Sequence, residues 1–311
     1  MSSVIRDLYF FRSLLLMVVW CLSASPVSAA IYNLALDISK FGYLGQSDIP
    51  LFGAVASAPV AATNSFVYLQ NLYPAIYGSG LTGGDLASWA VTAELLSKPL
   101  YMDTIANQTT YNRDAVFGMM EYMNQNAPAP NGFRGEVVIV DDQDWTLARP
   151  QPSGVQSIFP TWQSLYSSLS RREAPILDVF FPTLPDKRRS VTLTSFHWND
   201  MDNDLWIDFS EDGVIDFIDP LDPANDTKTA PKRKYGKIYQ EALPPGSQGT
   251  SRLRFEFLSD GFSPFSSDEA FISMAFVARD PIPEPGSMAI WCLGGVAGWR
   301  WRRRRRSSPP S

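Results

Sequence analysis

Apolar positions recur along the chain with two periods. Between residues 59 and 169 they fall on helical stripes. Ala62, Phe66, Leu69 and Tyr73 sit at i, i+4, i+7 and i+11, with Pro59 at the start. Leu86, Trp89, Ala93 and Leu96 predict a second helix, opened by Asp85 and closed before Pro99. Val116, Met120 and Met123 mark a third, its methionines reading as core filler. Thr161 caps a fourth that carries Trp162, Leu165 and Leu169. Elsewhere β-branched and aromatic runs predict strands at 136–140, 176–181, 191–196, 205–209, 214–218, 252–258 and 270–278. Ser210-Glu211-Asp212-Gly213 reads as the hairpin turn between 205–209 and 214–218. Helices first and an antiparallel sheet afterwards make an α+β arrangement. The Pro-rich stretches 126–132, 149–153 and 243–249 read as loops inside one domain spanning 31–282, and Lys232-Arg233-Lys234 as a solvated basic loop.

The two ends break this pattern. Residues 1–30 have a charged start at Arg6 and Arg12, an apolar run at 14–22 and small residues at Val27-Ser28-Ala29, the layout of a secretory signal cleaved after Ala29 or Ala30. An uncleaved anchor fits less well, because the apolar run is short. At 283–311, Pro283-Glu284-Pro285 precedes an apolar run at 287–299, then Arg300 and the arginines at 302–306. A helix of roughly 14 residues rises about 21 Å, short of the ~30 Å hydrocarbon core, so alone it predicts a weak tail anchor formed by a short transmembrane helix.

Composition sharpens the picture. The 311 residues carry 26 basic and 32 acidic side chains, with 45% apolar content, which excludes a disordered chain. Eight of the basic residues lie in the two ends, leaving an acidic middle that argues against a nucleic-acid partner. Cys21 and Cys292 also lie in the ends. The middle therefore has no disulfide, no thiolate metal site and no cysteine nucleophile, and His197 is the one histidine of the whole chain.

The order Pro-Glu-Pro, short apolar helix, arginine cluster resembles the PEP-CTERM sorting signal of Gram-negative bacteria. The resemblance implies export, a transient inner-membrane anchor, recognition by the membrane protease-transpeptidase exosortase, and delivery to the cell surface or medium. The order of pieces in 46–220 resembles the papain-like peptidases of the bacteriocin-processing type. Ser57-Ala58-Pro59 stands where that family has Cys-Gly/Ala-Pro at a helix start, Ser190 where it has the strand histidine, and Ile218-Asp219-Pro220 matches its third motif. The resemblance implies a papain-like α+β fold, with helices of the N-terminal half packed on an antiparallel sheet of the C-terminal half. Gln46 would be an oxyanion remnant. Ser57 and Ser190 supply neither a thiolate nor a proton-cycling base, so the expectation is an inactive homologue with Asp219 as a relic. Seven residues separate His197 from Ser190, an odd number, which puts the two on opposite strand faces unless a bulge intervenes.

The segment 200–211 has its own pattern. Counting Asp200 as position 1, oxygens fall at Asp200, Asp202, Asp204 and Asp208, a backbone carbonyl at 7 and Glu211 at 12. That is the calcium-loop spacing of an EF-hand, with Leu205 where the turn wants glycine. The competing reading is a solvated acidic turn into a hairpin. Together these features predict an exported, surface-sorted protein that acts by binding peptide or matrix polymer. An active hydrolase using Ser57, Asp219 or a metal, and a calcium-stabilised structural envelope protein, are the rivals.

Overall fold

The computed structural model describes residues 29–50, 55–104, 110–127, 135–139, 149–152, 155–156, 158–182, 188–211, 213–225, 227–247, 249–258 and 270–278. The tail 283–311 and all but the last two residues of the signal segment lie outside them. The helices are α1 (Ser57–Leu72), α2 (Pro74–Tyr77), α3 (Leu86–Ser97), α4 (Asn112–Asn126) and α5 (Trp162–Ser170). The strands are β1 (Ala30–Ala35), β2 (Gly135–Ile139), β3 (Val155–Gln156), β4 (Ile176–Phe180), β5 (Arg188–Asp200), β6 (Gly213–Ile218), β7 (Lys234–Ala242), β8 (Ser251–Phe257) and β9 (Phe271–Ala278).

The four expected helices form on their stripes. Asp85 accepts the Ser88 N–H at 2.8 Å to cap α3, and Thr161 accepts the Ser164 N–H at 3.2 Å to cap α5. α1 is buried almost all round, from Ala58 to Gln70. Its small residues let it settle close on the strands, where Thr192 donates to the Ala61 carbonyl at 2.9 Å. On its other side Phe66 stacks on Tyr122 of α4, their centroids 5.7 Å apart.

The strands close on themselves. β4 pairs antiparallel with β5 along one edge and with β9 along the other, so that Leu177 faces both Val191 and Ala275. β5, β6, β7, β8 and β9 complete the circuit, giving a closed six-stranded antiparallel barrel. The seam between β8 and β9 is short: Arg254 lies opposite Phe271, and the Phe255 N–H donates to the Ala270 carbonyl at 2.9 Å. Leu177, Val179, Val191, Leu193, Phe217, Leu253, Phe255 and Ile272 belong to one buried cluster with the barrel wall. A second cluster joins α1 and α4 to Ile176, Met274 and Phe276 on the outside of β4 and β9. β5 runs on beyond β4 and pairs its second half with β1, Ala30 opposite Asp200.

Three expectations are overturned. The fold is mostly sheet, a closed barrel with a few helices, and not the papain-like α+β arrangement. The closure depends on β4 pairing not only with the neighbouring β5 but also with β9, far away in sequence, which no local pattern encodes. Residues 205–209 are not a strand: Asn203 and Leu205 take φ of 60° and 62°, and a 3-10 turn follows at Phe209–Glu211. Lys234 is not in a solvated loop either. It opens β7 and is buried against Asp219 and Asp222.

Candidate functional site

Two polar constellations flank the barrel. The first is the loop between β5 and β6 at one barrel end. Trp198, fully buried near the end of β5, stacks on Tyr32 at 5.0 Å and meets Trp162 edge-on at 4.8 Å. Its indole N–H donates to Glu211 Oε2 at 3.0 Å. Trp162 donates its own indole N–H to the Leu205 carbonyl at 3.1 Å, and Ile207 exchanges hydrogen bonds with Gln240 of β7. The loop is thus pinned at Leu205, Ile207 and Glu211. Oxygens of Asp200, Asp202 and Asp204 converge to within 4.8 Å of one another. Asp208 has its carboxyl pushed up, first by desolvation and then by the negative charge of Glu211, Asp204 and Asp202. Glu211 is buried, and its two oxygens take the Trp198 indole and the backbone N–H groups of Met201 and Asp208.

The second lies under α1 and α4, outside the barrel. Ser57 opens α1, and its Oγ accepts the Ser190 N–H at 3.5 Å. The Ser190 hydroxyl donates to Asp178 Oδ1 at 3.0 Å, and Ser273 donates to Asp178 Oδ2 at 3.1 Å. Asn112 of α4 donates to the Ser273 hydroxyl at 3.0 Å, and Arg188 stands 3.7 Å from Asp178. Burial pushes the Asp178 carboxyl up, outweighing Arg188 and both serine hydroxyls.

The structure therefore brings Ser57 and Ser190 together but commits Asp219 elsewhere. Asp219 takes the Arg189 guanidinium, with Nε 3.0 Å from Oδ1, and the Leu221 N–H at 3.0 Å. Gln46 is buried, and its backbone N–H donates to the Pro220 carbonyl at 2.7 Å. His197 is exposed, seven residues along β5 from the buried Ser190, roughly 20 Å at strand rise. Asp178, Arg188, Arg189 and Lys234 went unanticipated. A lone carboxylate inside the apolar run 176–181 was the available signal for Asp178.

Outside the described residues, the segment 281–305 matches the family described as the PEP-CTERM protein-sorting motif. The chain carries a sorting signal. The motif supports export, processing by exosortase and a cell-surface or extracellular destination. No family match supports the papain-like resemblance. Comparison with curated proteins found no match, and neither did comparison with solved structures. Among the described residues no helix is long and apolar enough to cross a membrane, and the apolar run 287–299 lies outside them.

Proposed function

We propose that the PEP-CTERM-tagged chain is a non-catalytic surface or matrix protein that acts by binding once exosortase has released it from its tail. The sorting motif at 281–305 carries this reading. Its body is a closed barrel whose interior is filled by side chains, and the hydroxyls that meet at the head of α1 have an amide and a buried carboxylate as their partners. A serine nucleophile needs a base that accepts and returns its proton while in reach of substrate. Ser190 and Asp178 are 1% and 2% exposed, so that pair serves packing in this reading.

Intact-mass measurement of the protein recovered from the native cell surface and medium tests the sorting half. Chains lacking the arginine cluster are expected, and recovery solely of chains ending at Ser311 overturns it. Incubation of the purified protein with casein and peptide libraries tests the other half. Intact substrates are expected, and hydrolysis that disappears in Ser57→Ala overturns it.

A further inference from the structure

We propose that the β5–β6 loop is a calcium site formed by Asp200, Asp202 and Asp204, with Glu211 as its anchor in place of a ligand. Three carboxylates within 4.8 Å of one another repel unless a cation lies among them. A decisive further observation is the state of Asp200. Its side chain is wholly buried; Oδ2 takes the Leu205 N–H at 3.3 Å, while Oδ1 is buried and has no hydrogen-bond donor among the described residues. A carboxylate oxygen sealed from water without a donor is costly, and a hard cation is the partner it fits. Asp202 and Asp204 are exposed, so an ion reaches the cluster from solvent. Oxygen-only donors on a short loop suit calcium, which accepts irregular coordination completed by water.

Glu211 departs from the spacing-based assignment. Both its oxygens already hold protein N–H groups, from Trp198, Met201 and Asp208. Its task is to tie the far end of the loop to Trp198 and so fix the position of the aspartates.

The experiment uses the full chain. Terbium is the first probe, because Trp198 and Trp206 lie within the loop region and sensitise its luminescence when it binds there. Calorimetric titration with calcium is the second. One equivalent is expected, with calcium displacing terbium and raising the melting temperature in step with occupancy. The double variant Asp202→Asn with Asp204→Asn should weaken calcium binding at least tenfold, while its melting temperature in chelator stays at or above that of the wild type. Because both side chains are exposed, that variant keeps its fold and separates ligand loss from unfolding. Glu211→Gln should lower the melting temperature in chelator as well, as an anchor requires. Absence of sensitised luminescence and of heat at millimolar calcium overturns the proposal, as does calcium affinity within twofold of wild type in the double variant.

Discussion

Arg189 and Asp219 form a buried ion pair at the barrel mouth where β5 begins and β6 ends. Lys234 stands 3.9 Å from the other Asp219 oxygen, and the Phe257 ring lies 5.4 Å from the Arg189 guanidinium carbon. Removing Arg189 leaves the buried Asp219 carboxylate with the more distant Lys234 as its counter-charge. Arg189→Met is therefore expected to destabilise by at most about 3–5 kcal/mol, the cost of a buried charge with no counter-charge at all. Adding Asp219→Asn should recover part of that loss, since the amide still accepts from the Leu221 N–H. Urea unfolding of the single and double variants checks this, and strictly additive losses would show that the two side chains are not coupled.

Asp178 predicts a pH dependence. Burial raises its folded pKa above the ordinary value of about 4. Below that value the carboxyl is protonated in both states and has no pH-dependent effect. As pH rises through the window between the ordinary and raised values, the unfolded chain ionises first, so stability falls. Asp178→Asn removes the titration. The wild type should lose stability relative to this variant as pH rises from about 4, read from melting temperatures of both across pH. A constant gap between them would rule out Asp178 as the source.

Gly118 sits inside α4, where alanine ordinarily gains about 1 kcal/mol of helix propensity. A Cβ there would lie 2.6 Å from the Tyr101 carbonyl carbon and 2.7 Å from the Met102 nitrogen. These are backbone atoms and cannot swing aside. Gly118→Ala is expected to destabilise by about 1–3 kcal/mol, the overpacking cost exceeding the propensity gain. Denaturant titration gives the sign directly, and a stabilised variant would contradict the close approach.

Thr161 offers a milder test. Its Oγ1 accepts the Ser164 N–H while Ser164 Oγ accepts the Thr161 N–H, both at 3.2 Å. Thr161→Ala should cost about 1 kcal/mol. For a chain of this size that lowers the melting temperature by about 2–4 °C in a thermal scan.

How far the sequence discloses this molecule depends on how local each feature is. The helices were legible because each stripe faces one core, and Asp85 and Thr161 mark their starts. β7 was hidden. Of its first five residues only Lys234, Gly236 and Ile238 are buried, Gly236 leaving room for the Phe255 ring, so the inward face offers one large apolar side chain to read. The misplaced strand at 205–209 followed alternation that is real in composition only: Ile207 is buried, but Phe209 is 60% exposed, against Tyr239. The convergence of Asp200, Asp202 and Asp204 followed from spacing, whereas the commitment of Glu211 to Trp198 needed the register of β5. Barrel closure was beyond reach, since it rests on β4 pairing with β9, which begins only at residue 271.

The directions of β1, β5 and β9 have a consequence for where the sorting motif begins. β5 and β9 both run antiparallel to β4, and therefore in the same direction, so the chain leaves Ala278 toward the barrel end that carries the acidic loop. Ala30 lies opposite Asp200 at that same end. Only two residues separate Ala278 from the sorting motif at 281, a reach of about 11 Å at full extension. Ala30 and Ala278 thus both lie toward one pole of the barrel, and the sorting motif begins within that short reach of it.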